Sequence, residues 1–276
     1  MNDESVRYVG SVSWGKDSLC MLLMLIEKKY PLDEVIFFDT GMEFQAIYDT
    51  RDQTLPLLEK RGIKYTELRP EHPFEWYMFE KPVNGKNGEH CGYSWCGGSV
   101  RWGTALKREI INRYLKQYEK VIQYVGIAHD EFDRYGKAKT DNKRYPLVEW
   151  GVTEGAALLY CYEHGYRWLE NGIPLYTVLN RVSCWCCTNK NLKELKAHYV
   201  YLPEYWEKLR KLQERTDRPF KSTGQTISDL EERFKKELEE ANLSIGPQTG
   251  HIWAKGAIKG PHTAWQIKEA QNENMY

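Results

Sequence analysis

The sequence predicts an α/β fold: a doubly wound, mainly parallel sheet with a C-terminal helical appendage. Short apolar runs alternate with amphipathic stretches of helical length, which is the pattern of β–α–β units. Three of those runs end in polar clusters, "SWGKDS", "DTGMEF" and "GIAHDEFDR". In open α/β sheets ligands bind beyond the carboxyl ends of the strands, so the three clusters are expected to share one rim. From Thr153 the texture changes to helix and loop, with a cysteine cluster and then two charged amphipathic stretches. With 276 residues and 41% hydrophobic side chains, the chain has enough apolar surface for a proper core.

Tyr8–Ser13 reads as a short buried strand and Asp17–Lys29 as a helix with Leu19, Leu22, Leu25 and Ile26 on its apolar face. Glu34–Gly41 is the second strand, Phe44–Lys60 a helix and Lys64–Leu68 the third strand. The irregular, glycine-rich stretch Pro82–Gly98 precedes a long amphipathic helix in "RWGTALKREIINRYLKQY", and Lys120–Glu131 is a further buried strand. Thr153 as N-cap and a terminal glycine bound one helix in "TEGAALLYCYEHG". Leu192–Arg215 and Ile227–Glu239 form the appendage, and the polar tail from Ser244 is expected to be loosely ordered. The resulting division is 1–190, 191–243 and 244–276.

Lys+Arg and Asp+Glu balance at 39 each, so no global charge draws the chain to nucleic acid or an acidic membrane. The ten Trp and nineteen Tyr suit base stacking, although packing is their commoner use. The start "MNDESVRYVG" has no apolar signal core and no run is long enough to span a membrane, which leads to the expectation of a cytoplasmic protein with no membrane partner. Seven cysteines in a reducing compartment call for a metal or redox explanation where they cluster.

"GSVSWGKDS" (Gly10–Ser18) joins the first strand to the first helix. A glycine-rich turn at that place presents backbone N–H groups at the positive end of a helix, which cradles phosphate, and Lys16 adds a mobile charge. Gly10, Gly15 and Lys16 have Walker A spacing, but Asp17 stands where that loop needs a hydroxyl for magnesium, which arrives one place late at Ser18. The plain alternative is a polar turn that binds nothing. Ser-x-Gly-Lys-Asp-Ser after an apolar strand resembles the PP-loop of the ATP pyrophosphatase (adenine nucleotide alpha-hydrolase) superfamily, usually Ser-Gly-Gly-Lys-Asp-Ser. Trp14 replaces the first loop glycine; its side chain is expected to require a negative φ, with the indole over the nucleotide or under the loop.

The resemblance continues in order from about Val9 to Leu195. "DTGMEF" looks like the second-strand motif of phosphoadenylyl-sulfate (PAPS) reductase-like proteins, and "GIAHDEFDR" like their Gly-Ile-Arg-x-Asp-Glu-x-x-Arg element with Ala128 replacing the arginine. "RYPLVEW…TEGAALLYCYEHG" resembles their Pro-Leu…Trp…helix segment. The resemblance implies that the loop grips the β,γ-pyrophosphate of ATP, or the corresponding part of APS or PAPS, with chemistry at the α-phosphate. It implies a nucleotide site of Ser11, Ser13, Gly15, Lys16, Asp17 and Ser18 with Asp39, Gly41, Glu43, Gly126, Asp130 and Arg134. Lys16 and Asp17 are the catalytic candidates, Asp17 helping to place Mg²⁺.

Cys91 and Cys96 flank "GYSW", and "CWCC" supplies Cys184, Cys186 and Cys187. Two separated cysteine pairs in polar loops build an S₄ site for zinc or a [4Fe–4S] cluster. Cys20 and Cys161, inside apolar helices, read as small buried hydrophobes. Some adenylyl-sulfate reductases hold a [4Fe–4S] cluster with a similar arrangement, though their first pair is adjacent. The resemblance points to Cys91, Cys96, Cys184 and Cys187 as iron–sulfur ligands, with Cys186 the rival of Cys187 and zinc the alternative metal.

PAPS reductases attack sulfur with a cysteine in a C-terminal Glu-Cys-Gly-Leu-His motif, and no cysteine follows Cys187 here. The favoured reading is therefore ATP-dependent activation followed by sulfur transfer, with a sulfur donor protein as partner; relatives act on tRNA bases or take part in DNA phosphorothioation. Arg101, Lys107 and Arg144, with Trp102, Arg108, Arg134, Lys137, Lys139 and Lys143, are candidates to contact a polyanionic substrate such as nucleic acid; a solvated surface is the alternative. Sulfite-forming reduction of APS or PAPS is the competing activity. A nucleotide-binding module with reduced turnover is the third reading, suggested by Trp14 and Ala128. The acceptor and the oligomeric state are left open.

Overall fold

The computed structural model describes residues 6–85, 88–98, 100–138, 140–241, 243–245 and 252–254. Lys139 and most of the polar tail lie outside the described residues, as does the side chain of Lys137. The chain begins β1 (Val6–Ser11), α1 (Lys16–Glu27), β2 (Glu34–Phe38), α2 (Gln45–Lys60), β3 (Lys64–Leu68) and α3 (Phe74–Phe79), followed by β4 (Pro82–Gly85) and β5 (Gly88–Cys91). Next come α4 (Trp102–Leu115), β6 (Lys120–Val125), α5 (Phe132–Ala138), β7 (Lys143–Arg144), α6 (Pro146–Glu149) and α7 (Glu154–Glu163). The remainder is β8 (Leu169–Glu170), β9 (Ile173–Pro174), α8 (Leu175–Val178), α9 (Leu192–Tyr201), α10 (Pro203–Gln213), α11 (Ile227–Glu240), β10 (Leu243–Ile245) and β11 (Ile252–Ala254).

Packing divides these elements into two units. The first takes the residues up to Phe74 and Gly103–Trp168; the second takes Glu75–Trp102 and the residues from Leu169 onward. Within the first unit, five parallel strands run in the order β3-β2-β1-β6-β7. The winding goes outward from β1 through β2 to β3, then returns to the other side of β1 with β6, so the reversal lies between β1 and β6. This is the crevice where open α/β sheets bind ligands. β2 is buried along its whole length, and Val9, Ile36 and Phe38 pack with Ile111 and Leu115 of α4 on one face. Helix α1 buries Leu19, Met21, Leu22 and Leu25 completely and packs on α7.

The strands stop earlier than their apolar runs suggest: β1 at Ser11, β2 at Phe38 and β6 at Val125. Beyond those residues the backbone turns away into the polar motifs, which begin as loops rather than strand ends; the first and third run on into α1 and α5. Gly126 shows why the turn after β6 is tight. A Cβ there would lie 2.7 Å from the Ser18 Cα and 2.9 Å from its N, so only glycine lets β6 reach the first turn of α1.

At the amino end of β2, Glu34 is fully buried. Its carboxylate accepts hydrogen bonds from Thr66 (2.5 Å), Tyr114 (2.5 Å) and Tyr118 (2.5 Å), with Lys64 at 3.0 Å. Burial opposes the charge, but these donors outweigh it and hold the carboxyl below its ordinary value. The Tyr124 hydroxyl, on β6, is pushed up to about 12 by burial.

In the second unit, the amphipathic stretch Leu192–Arg215 holds two helices, α9 and α10. Pro203 has no N–H to continue α9 and instead occupies the first turn of α10. Capping boxes start α9 at Asn191–Glu194 and α11 at Thr226–Asp229. Trp206 and Phe234 meet at 5.9 Å, and Arg210 grips Glu231 through two nitrogens at 2.6 and 3.0 Å. The described part of the tail pairs β10 with β11 as an antiparallel hairpin, a pairing the composition did not announce.

Candidate functional site

The loop after β1 is held by its own serines. The Ser13 N–H donates to Ser18 Oγ at 3.0 Å, the two hydroxyl oxygens lie 3.2 Å apart, and Ser18 Oγ donates to the Gly15 carbonyl at 3.1 Å. Gly15 caps α1 in an extended conformation (φ −78°, ψ 164°) and contributes no side chain to the cap. The first N–H groups of α1 lack intrahelical acceptors by geometry, and the helix dipole makes that end positive.

Trp14 departs from expectation. Its φ is +60°, in the left-handed region that glycine occupies freely. The indole goes into the core rather than over a ligand: it is 0% exposed and packs against Phe37 (6.3 Å) and Tyr65 (6.0 Å). The Trp14 carbonyl accepts a buried hydrogen bond from Trp168 Nε1 at 2.8 Å. A strained φ of this kind costs about 1–3 kcal/mol; burying a large aromatic contributes at least that much. Packing thus makes possible a backbone state that the side chain alone disfavours.

An open cleft of about 250 Å³ lies at the carboxyl ends of β1, β2 and β6. Ser11, Ser13, Ser18, Gln123 and Gly126 supply its polar floor; Val12, Ile36, Phe38, Ile111 and Val125 are apolar. Gln123 Nε2 donates to Ser11 Oγ at 2.6 Å, which fixes both at the floor. Lys107 and Arg108 on α4, Arg134 on α5 and Lys143 on β7 bring four cationic side chains to the wall, and among the described residues no carboxylate lines it. The cleft combines an apolar surface for a ring with a cationic surface for anions.

Beside the loop is a group of opposite charge. Carboxylate oxygens of Asp17, Glu131 and Glu154 all lie within 4.8 Å of one another. Lys16, with only 7% of its side chain exposed, reaches Asp17 at 2.8 Å and Glu154 at 3.7 Å. Burial raises the Asp17 carboxyl, Lys16 counteracts this, and Glu154 and Glu131 push it up again. Arg134 holds Glu131 at 3.1 Å, and Glu131 accepts the N–H of the fully buried Ala128 at 3.3 Å.

The sequence-predicted residues therefore separate by task. Ser11, Ser13, Ser18, Gly126, Arg134 and Lys107 line the cleft, whereas Lys16 and Asp17 face the carboxylate group. Asp39 accepts hydrogen bonds from the Gly41 N–H (2.8 Å) and Tyr48 hydroxyl (2.7 Å), and Glu43 accepts one from Thr40 (3.0 Å), so this motif ties the turn after β2. Burial and then Asp39 push the Tyr48 hydroxyl up. Asp130 accepts the Glu154 N–H at 2.9 Å and anchors the start of α7. Arg144 is not among the lining residues and pairs with Glu149, and Arg101, in the second unit, donates to the Gly98 carbonyl at 2.9 Å. Glu131, Glu154 and Gln123 were missed as site residues; Glu131 stood inside a quoted motif, while Glu154 followed the Thr153 N-cap and read only as a helix start.

The clustered cysteines all belong to the second unit. The Cys187 N–H donates to the Cys184 carbonyl at 3.1 Å, closing a turn, and a hydrogen bond between the two thiols together with burial pushes Cys187 up. The loop carrying Cys96 is stitched to the same segment: Thr188 Oγ1 donates to the Cys96 carbonyl at 3.4 Å, and Asn189 Oδ1 accepts the Gly98 N–H at 2.8 Å. A Cβ on Gly97 would lie 1.8 Å from Thr188 Oγ1, so the two loops touch only because that residue is glycine. Lys190 donates to the Cys184 carbonyl at 3.1 Å, and Lys221 to those of Thr188 (2.8 Å) and Lys190 (2.9 Å). Cys91 is exposed at the end of β5, and Cys186 is buried. Among the described residues no three cysteine sulfurs lie within 4.8 Å of one another. Cys20 and Cys161 are both 0% exposed, as expected of structural thiols.

A crevice at the winding reversal, a serine-closed loop at the positive end of α1 and a cationic wall define a nucleotide-binding class of α/β protein. The model of the phosphoadenosine phosphosulfate reductase domain matches residues 7–158, more than half of the chain, and the chain belongs to that family, part of the PP-loop superfamily. Two uncharacterized proteins of Methanocaldococcus jannaschii are similar to it. MJ0066 is 25% identical over 71% of this chain and 39% of its own length; MJ0973 is 27% identical over 72% and 45%. The chain thus spans less than half the length of these relatives. Among the described residues no helix is long and apolar enough to cross a membrane.

Proposed function

We propose that the chain binds ATP or a related adenine nucleotide and uses it to activate an acceptor for sulfur transfer. The observation that carries this reading is the cleft itself, where the loop serines meet four cations and an apolar surface at the winding reversal. Loop N–H groups and Lys16 hold the pyrophosphate part of the nucleotide. Its ring takes the apolar surface of Ile36, Phe38 and Ile111. An acceptor oxygen attacks the α-phosphorus, the bond to the β-phosphate oxygen breaks, and pyrophosphate leaves into the positive field of the loop. A sulfur nucleophile then displaces AMP from the adenylated atom, breaking its bond to oxygen and forming one to sulfur.

The carboxylates of Asp17, Glu131 and Glu154 fit a hard divalent cation in donor chemistry, because their oxygens lie within 4.8 Å of one another and Mg²⁺ takes oxygen ligands. Mg²⁺ held there would neutralise charge on the pyrophosphate leaving group. The thiol set fits a cysteine-ligated centre in donor chemistry, and the contact at Gly97 brings the Cys96 loop against the Cys184–Cys187 turn. Cys91, Cys96, Cys184 and Cys187 would hold a [4Fe–4S] cluster, which supplies sulfur and electron chemistry. The cationic wall suits a nucleic-acid acceptor.

Pyrophosphate release from ATP, with and without tRNA or DNA, tests the reading: release stimulated by an acceptor is expected. Sulfite from adenylyl sulfate and a dithiol would instead establish the reductase activity, and nucleotide binding with no turnover would leave a binding module.

A further inference from the structure

Trp14 stands where the family motif has glycine, and it adopts glycine's conformation. Two features make that possible. The indole is wholly buried against Phe37 and Tyr65, and the carbonyl of the same residue is held by the Trp168 indole N–H at 2.8 Å. Trp168 is itself 1% exposed. The peptide groups that follow Trp14 are those that open α1, so the backbone angles at Trp14 set the direction in which the loop presents its N–H groups. A glycine would leave this φ free to vary; the buried tryptophan and the bonded carbonyl fix it at both ends.

We propose that Trp14 and Trp168 form a clamp that pre-sets the phosphate loop, with Trp168 a positioning residue that acts through the Trp14 carbonyl. The proposal rests on the anion-binding reading of the loop and adds what orients it. The substitution at the glycine position is then a gain of rigidity rather than a lost function. A loop already in its binding conformation loses less freedom when an anion arrives, so the clamp acts on affinity. Packing alone would place Trp168 in the core without coupling it to the anion.

The test is a double-mutant cycle read by calorimetric titration of inorganic pyrophosphate with Mg²⁺ on the full chain, with thermal melting as a check of folding. In the Trp14 background, Trp168→Phe keeps an aromatic ring but removes the N–H, and affinity should weaken roughly 5- to 10-fold, the cost of re-ordering a loop no longer held at the residue-14 carbonyl. In the Trp14→Gly background the same change should alter affinity by less than about 2-fold, because the φ is already free and the loop is no longer pre-set. Equal weakening in both backgrounds, or none in the Trp14 background, overturns the clamp. Should Trp168→Phe fail to fold, Trp14→Gly with Trp168 retained carries the test. Glycine frees the φ that the buried indole fixes, so affinity should weaken roughly 5- to 10-fold. Affinity within about 2-fold of the parent would show that the indole does not pre-set the loop and overturn the proposal. Binding by the parent chain reports on the phosphate-loop reading and the pattern among variants on the clamp; no binding by the parent removes both.

Discussion

The phosphate loop and the cysteine site are built on opposite principles. The loop is assembled from backbone and hydrogen bonds that are part-buried from Ser13 to Ser18 and Ser18 to Gly15, and buried from Trp168 to Trp14. It is shaped before any ligand arrives. The cysteine-bearing segments are two loops and a hairpin end, with Cys91 exposed and the Cys184 and Cys187 thiols in hydrogen-bond contact. A preorganised site keeps its form without ligand, whereas a thiolate centre gains its final geometry from its metal. The difference predicts that each site can be broken without the other.

The largest expected effect is on metal. Anaerobically purified protein should carry about four iron atoms per chain if all four thiolates hold one [4Fe–4S] cluster, and Cys184→Ser should abolish it. Nucleotide affinity should stay within about 2-fold of the parent, since the loop does not use the metal. A colourless parent protein with stoichiometric zinc would replace the iron assignment, and a parallel loss of nucleotide binding would end the claim of independence.

Gly126→Ala attacks the other site. Its Cβ would collide with the Ser18 backbone, so overpacking should cost about 1–3 kcal/mol of stability and displace the start of α1. Chemical denaturation and pyrophosphate titration should both register it, with metal content unchanged. An Ala variant of full stability and affinity would show that the close approach of β6 to α1 is not required.

Glu34 supplies a pH test in the first unit. Its folded carboxyl lies below the ordinary value, so it contributes stability that is fully present above the unfolded carboxyl pKa, about 4.3, and is lost as pH falls through the folded value. Glu34→Gln should therefore flatten the acid limb of the stability curve. At neutral pH, Glu34→Ala should cost about 2–4 kcal/mol, because Thr66, Tyr114 and Tyr118 lose a charged acceptor. An unchanged acid limb would remove Glu34 from the account.

The smallest effect concerns Glu154, which holds Lys16 at 3.7 Å. Without divalent ions, Glu154→Gln should bind pyrophosphate about 2- to 5-fold more tightly, because one competing anion is removed at a largely buried lysine. Titration in chelator would reveal it; weaker binding would mean that Glu154 orients Lys16 rather than competing for it.

The parallel sheet and the three polar clusters at its rim were legible in the sequence, because apolar runs that give way to Asp39 or Gly126 place the strand ends to within a few residues. The loop was legible through Lys16 and Asp17. The consequence of Trp14 was not, since the sign of its φ depends on Trp168, far away in sequence, and on a pocket between Phe37 and Tyr65. Glu154 escaped for a similar reason: its partners Asp17 and Glu131 meet it only through the packing of α7. Asp39 and Asp130 lie in motifs that the sequence marks, and each uses one carboxylate oxygen to hold a backbone N–H that only the fold brings to it. A motif locates the loop, but tertiary contacts decide which side chains remain available to a ligand.

The most direct test of the central claim is calorimetric titration of ATP with Mg²⁺ on the parent chain and on Lys16→Ala. The account predicts saturable binding by the parent and at least a roughly 100-fold loss in the variant, as expected when a largely buried, paired ammonium is removed from an anion site. Equal affinity in the two proteins would contradict it.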